Sequence, residues 1–218
     1  MSAEAVAAFR HRFAPARADD ALTLLLLHGT GGDENDLLEL GRALDGRAAL
    51  LSPRGQVDEQ GANRWFRRLA EGVFDTDGLI ARTDQLAAFV EGAAAHYRLD
   101  PSRLVAVGFS NGANIAAALL FRHPHVLRAA VLFAAMAPLD DPPRGDLSGV
   151  GVFLSAGRTD PIAPPEQAEL LAEQLVDRGA AVELRWHPGG HGIERRGLAQ
   201  ATAWLGKLRT ATSTDPLP

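Results

Sequence analysis

The sequence has no cysteine. That absence removes disulfides, thiolate metal ligands and a cysteine nucleophile together. It has no apolar run near the ~20 residues a bilayer-spanning helix needs; Leu24–Leu27 stops at His28-Gly29. Excess positive charge is also missing. The net charge of −5 offers no basic patch for a phosphate backbone, so no nucleic-acid partner is expected. From Met1 to Pro15, Glu4, Arg10 and Arg12 interrupt any signal-peptide core. The lack of a cysteine leaves the compartment open, but the missing signal-peptide core and membrane span predict a cytoplasmic protein, and no metal or cofactor is expected. No repeat or low-complexity segment is visible.

What is present is an alternation of apolar runs and helical patterns in a chain of 218 residues, a length that suits one domain. Leu22–Leu27, Ala48–Ser52, Leu104–Gly108, Ala129–Phe133, Val150–Ala156 and Val182–Trp186 read as buried parallel strands, with Phe9–Ala14 as an edge strand. Glu34–Leu44 reads as a helix capped by Asp33, and Thr83–Tyr97 puts Leu86, Phe89, Val90 and Ala93 on one face. Asn111–Arg122, Pro165–Arg178 and Ile193–Leu208 complete the set. Strand–helix alternation of this kind predicts an α/β fold, a mostly parallel central sheet with helices on both faces. The single domain is expected over 1–210, with 211–218 a disordered tail. Two segments fit no element. Pro53–Arg82 is long for a compact domain, as functional loops often are, and Pro138–Gly149 is proline-rich and too short for a separate cap domain.

The chemistry concentrates at strand ends. Gly108-Phe109-Ser110-Asn111-Gly112 follows a strand and opens a helix, the context in which G-x-S-x-G makes a nucleophile elbow. The serine needs a sharp, strained turn, and a side chain at 108 or 112 would collide with the neighbouring strand or helix. A serine hydroxyl also needs a base, and in this fold the partners follow in the order Ser, Asp, His. Asp160 lies just beyond the strand Val150–Ala156, where open sheets place their sites, in a loop stiffened by Pro161, Pro164 and Pro165. Asp140, Asp141 and Asp146 precede that strand and are weaker rivals. His191, in Gly189-Gly190-His191-Gly192, follows the last strand, and its flanking glycines would free the backbone. His187, His96, His123 and His125 sit less well, and His11 and His28 precede the serine. Ser110 is therefore the expected nucleophile, His191 the base and Asp160 the residue that orients it.

An H-G-x-G-G turn, His28–Gly32, follows the first strong strand. Such a turn supplies one backbone N–H to an oxyanion, and the residue after the nucleophile supplies the other. Thr30 and Asn111 are the expected donors, each worth roughly 3 kcal/mol where water is excluded. His28 is expected to hold the turn by hydrogen bonds. A phosphate loop would need G-x-G-x-x-G or a G-K-[ST] ending, and neither is there. Trp65, Phe66, Phe74, Met136 and Ile162 are candidates for an acyl or aromatic wall. Arg64, Arg67 and Arg68 could meet an anionic substrate.

The motifs HGTGGDE, GFSNG, GRTDPIAP and GGHG, spread from about Leu22 to Leu205, resemble the phospholipase/carboxylesterase family of α/β hydrolases. The segment NRWFRRLAEGVFD with FSNGANIAAALL is most similar to its bacterial carboxylesterase branch, which includes hydrolases linked to quinone stress. The resemblance implies an α/β-hydrolase fold and cofactor-free hydrolysis of carboxylic esters or thioesters. It carries the triad onto Ser110, Asp160 and His191 and the oxyanion hole onto Thr30 and Asn111. It also allows a homodimer, since many members dimerise. Acyl-protein thioesterases usually carry Gln where Asn111 stands and a glycine-rich strand-loop where Phe133-Ala134-Ala135-Met136 stands, which counts against depalmitoylation of proteins. The lack of a stretch long enough for a cap domain favours an open cleft and small or short-acyl esters. Lysophospholipase, acyl-protein thioesterase-like and perhydrolase activities are the alternatives within the fold, and a catalytically silent binding module is the alternative outside it. The absence of cysteine is read here as excluding a dienelactone-type enzyme.

Overall fold

The structure, a computed structural model, describes residues 2–70 and 72–210. After a short helix α1 (Ser2–Ala7), strands β1 (His11–Ala14), β2 (Thr23–Leu27) and β3 (Ala49–Pro53) flank helix α2 (Leu38–Leu44). Two small hairpins follow, β4 (Val57–Glu59) with β5 (Ala62–Arg64) and β6 (Arg68–Ala70) with β7 (Val73–Phe74). The remainder alternates: α3 (Thr76–Tyr97), β8 (Leu104–Phe109), α4 (Asn111–Arg122), β9 (Ala129–Phe133), β10 (Gly151–Gly157), α5 (Pro165–Val176), β11 (Ala181–His187) and α6 (Arg195–Thr210).

The seven-stranded sheet runs β1-β3-β2-β8-β9-β10-β11, and every pair is parallel except the edge pair β1–β3. Side chains alternate between its faces with the period of a strand. Leu25, Leu27, Ala106, Leu132 and Leu154 point to the face covered by α3, α4 and α5. Leu24, Leu26, Val105, Val107, Val131 and Phe153 point to the face covered by α2 and α6, where Trp204 and Leu205 close the layer. Both faces are covered, so the strands read as continuous apolar runs rather than as alternation. This is the α/β-hydrolase architecture, with no separate cap among the described residues; 138–149 between β9 and β10 has neither helix nor strand.

Several boundaries differ from expectation. The helix expected from Glu34 begins at Leu38. Asp33 Oδ1 accepts from the Asn35 N–H and Asp36 Oδ2 from the Asp33 N–H, local bonds that compete with a helical turn. Buried Glu34 is meanwhile drawn into ion pairs with Arg10 and Arg54. The helix expected from Thr83 begins at Thr76, because the Asp75 carboxylate caps it at the Gly78 N–H. Pro53–Arg82 is therefore not one long loop. It contains both hairpins and the opening turns of α3, and its strands are too short to show a period. The expected tail from residue 211 lies outside the described residues.

Candidate active site

Loops at the carboxyl ends of β2, β8, β10 and β11 meet over the sheet. The turn after β8 is tight on both sides. A Cβ on Gly108 would lie 2.6 Å from Ala113 Cα, and one on Gly112 would lie 2.0 Å from the Leu27 carbonyl oxygen. Glycine at both positions lets α4 pack against β2 and β8. Ser110 between them has φ 52 and ψ −118, and its N–H donates to the Phe133 carbonyl at 2.9 Å. A backbone like this costs about 1–3 kcal/mol and persists only where its surroundings impose it.

Asp160 is buried beyond β10. Its Oδ1 accepts from the N–H groups of Ile162 and Ala163 at 2.8 and 2.9 Å, which leaves Oδ2 for His191 Nδ1 at 2.8 Å. The other ring nitrogen, His191 Nε2, lies 2.9 Å from Ser110 Oγ. A carboxylate only accepts, so the bond network assigns the proton to Nδ1 and makes Nε2 an acceptor for the serine hydroxyl.

The Asp160 and His191 loops are fastened to each other through main chain. Arg158 N–H donates to His187 O at 2.9 Å and Thr159 N–H to Gly189 O at 3.3 Å. A Cβ on Gly157 would come within 2.4 Å of both the Gly189 and Gly190 carbonyl oxygens. The close approach therefore falls on Gly157. The glycines around His191, expected to free its backbone, are not among the residues with positive φ, and a Cβ on Gly192 would meet nothing within 4 Å.

On the other side of the serine, the turn after β2 brings Thr30 to the same cavity as Ser110 and Asn111. Gly31 has φ 84 and donates its N–H to Asn63 O, while Gly32 N–H donates to Gly29 O. His28 is buried with both nitrogens engaged. Its Nε2 accepts from Gly55 N–H at 2.9 Å, so Nδ1–H donates to Gly29 O at 2.7 Å. Burial holds the His28 pKa below the usual imidazole range, against the opposing effect of the Gly29 bond.

The cavity over Ser110 holds about 330 Å³. Phe74, Met136 and Ile162 line it, together with Phe109 and Asn114, which the sequence reading did not propose. Asn114 sits one helical turn beyond Ser110, the spacing that could have pointed to it, and its Oδ1 holds the Met136 N–H at 2.9 Å. Trp65 and Phe66 do not form the expected wall. They are 1% and 0% exposed and belong to the core, so neither presents surface to a ligand. Arg64 and Arg68 reach the lining; Arg67 is not part of it. Burial lowers the Arg64 pKa, while Glu59 at 3.4 Å works against that shift. Asp140, Asp141 and Asp146 line a separate polar groove. His123 and His125 pair with Asp84 and Glu91. Among the described residues, no group of three or more His, Asp or Glu could hold a metal ion, and no helix is long and apolar enough to cross a membrane.

The family model described as "Dienelactone hydrolase family" matches residues 54–204, more than half of the chain. The chain belongs to the dienelactone hydrolase family. The absence of cysteine therefore does not exclude that family, as the sequence reading had it. It excludes only a thiolate nucleophile, one side chain on a scaffold that the whole sheet defines. The chain is 44% identical to "Putative hydrolase MhqD" of Bacillus subtilis over 89% of this chain and 96% of that one. The Bacillus cereus carboxylesterase structure superposes with a TM-score of 0.89 at 43% identity, covering 91% of this chain and 94% of that chain. A Mesorhizobium loti carboxylesterase gives a TM-score of 0.86 at 34% identity, covering 91% and 95%. The chain is thus a member of a hydrolase family with a carboxylesterase-like fold.

Proposed function

We propose that this chain is a serine carboxylesterase acting on small or short-acyl esters through an acyl-enzyme on Ser110. The observation that carries the reading is the continuous path Asp160 Oδ2–His191 Nδ1 at 2.8 Å and His191 Nε2–Ser110 Oγ at 2.9 Å, on a strained serine that faces the cavity. Neutral His191 takes the hydroxyl proton as Oγ bonds to the ester carbonyl carbon. Asp160 stays ionised and stabilises the imidazolium. The carbonyl oxygen gains negative charge, and the Thr30 and Asn111 N–H groups stabilise it. His191 then protonates the leaving alkoxide, and water attacks the acyl-enzyme by the same route. A cavity of about 330 Å³ without a cap supports the preference for small acyl groups over long chains. Because both cores share one sheet, 1–210 is read as one catalytic domain.

The test is a panel of p-nitrophenyl esters of rising chain length, with and without a serine-directed phosphonate. Turnover highest on short chains, abolished by the phosphonate and by Ser110→Ala, is the expected result. Undiminished turnover or phosphonate labelling in Ser110→Ala overturns it.

A further inference from the structure

The long segment between β3 and α3 contributes Phe74, Arg64 and Arg68 to the cavity, but its strongest polar links to the site are made elsewhere. Residues 63–65 grip the turn that follows β2. Asn63 accepts the Gly31 N–H at its carbonyl and donates its Nδ2 to Gly32 O, both at 2.9 Å. Arg64 donates to Thr30 Oγ1 at 2.9 Å. Trp65 does more, because it touches both sides of the proposed oxyanion hole. Its indole N–H donates to His28 O at 2.8 Å, two residues before Thr30. Its backbone N–H donates to Asn111 Oδ1 at 2.7 Å. The indole also packs on the His28 ring with centroids 5.0 Å apart.

We infer that Trp65 is a positioning residue that sets the distance between the Thr30 and Asn111 N–H groups, and so the geometry in which a tetrahedral oxyanion is held. Oxyanion donors act only when they already stand where the charge will develop. Thr30 belongs to a glycine-rich turn whose internal bonds, Gly32 N–H to Gly29 O and His28 Nδ1–H to Gly29 O, do not reach the Asn111 side. Asn111 begins a helix packed against the ends of β2 and β8. No covalent link shorter than most of the intervening chain joins the two, and Trp65 spans them with one side chain and one amide. The Asn111 Nδ2 has no hydrogen-bond partner among the described residues, so the bond from Trp65 is what fixes this amide. Trp65 is 1% exposed, which makes its two hydrogen bonds strong and their loss uncompensated by water.

The inference rests on the serine-esterase reading, and its test separates the two. Trp65→Phe keeps the backbone bond and removes the indole N–H. Kinetics on a short p-nitrophenyl ester are compared with inhibition by phenylboronic acid, whose boron adds the Ser110 oxygen while the hydroxyl proton passes to His191, giving an anionic tetrahedral adduct. Phe89→Leu, in the core of α3 away from the cavity, serves as a control for lost packing. The expected result for Trp65→Phe is a kcat lower by about 10- to 100-fold. KM stays within about twofold, boronate inhibition weakens by a factor similar to the kcat loss, and the pH profile of kcat is unchanged. Phe89→Leu loses stability without changing kcat or boronate inhibition. If Trp65→Phe does not fold, Asn63→Ala removes one bond to the same turn without opening the core, and a smaller loss of the same kind is expected. Unchanged kcat and boronate affinity in the folded variant overturn the role of Trp65, as does a loss confined to KM. If Ser110→Ala keeps its activity, the esterase reading itself fails; if it is inactive while Trp65→Phe is normal, only the positioning role fails.

Discussion

Under the proposed function Ser110 stands between an acid–base flank and an oxyanion flank, and the two are built differently. On the acid–base flank, the loops after β10 and β11 are joined by main-chain hydrogen bonds and by the contact at Gly157. On the oxyanion flank, the turn after β2 has main-chain bonds from Gly31 to Asn63 and from Gly32 to Gly29, and its other links are side chains of His28, Asn63, Arg64 and Trp65. Main-chain fastening tolerates most substitutions except at the close approach. Side-chain fastening fails residue by residue, with graded effects. The first flank should therefore break abruptly and the second by degrees.

The largest effect tests the acid–base flank at its polar end. Asp160→Asn should lower kcat by about 10⁴-fold, because an amide in place of the carboxylate no longer holds the imidazole with its proton on Nδ1. Steady-state kinetics with a melting curve checks this, and the fold should remain. Next, Gly157→Ala places a methyl group against two carbonyl oxygens and pushes the His191 loop away. The expected loss is about 10²-fold in kcat. A variant that kept wild-type activity would show that the two loops can separate freely.

The oxyanion flank should instead respond to pH. The His28 pKa is lower in the folded protein than its ordinary value of about 6.5. The unfolded chain then binds the proton more readily. The stabilisation from neutral His28 is fully present above about pH 6.5 and is lost as pH falls from there through the folded value. Protonation also removes the acceptor that holds the Gly55 N–H. Melting temperatures of the wild type should drop between pH 7.5 and 5.5, and His28→Gln, which does not titrate, should flatten that slope. The smallest effect lies away from both flanks. Asp84 accepts from Arg122 and His123, which outweigh its partial burial and lower its pKa. Its contribution is present above the ordinary carboxylate pKa and fades as pH falls through the lower folded value. The site is half exposed, so Asp84→Asn should cost within about 1 kcal/mol near pH 7 by denaturant titration.

The same contrast explains what could be read from the chain. Strands buried on both faces are continuous apolar runs, and the residues at their carboxyl ends fall where the topology must bring them. That Ser110, Asp160 and His191 would meet at one end of the sheet was legible for that reason. Trp65 and Phe66 were not, because an aromatic residue in a loop has the same appearance whether it lines a cavity or anchors the loop to the core. Here the indole and phenyl rings turn inward, and Phe109 and Asn114 take the cavity. The start of α2 was misjudged because Asp33 and Asn35 bond locally while Glu34 is held by Arg54. The start of α3 carried a readable signal in Asp75, three residues before Gly78, which the absence of a clear apolar period near it obscured.

Helix α4 has no wet side: every residue from Asn111 to Phe121 is buried. Past the residues that border the cavity, from Ile115 to Phe121, its amide hydrogens can meet deuterium only when the surrounding molecule comes apart, so their exchange should track global unfolding rather than local fraying. The serine at its head then cannot loosen by itself, and the strained backbone at residue 110 lasts as long as the native state does.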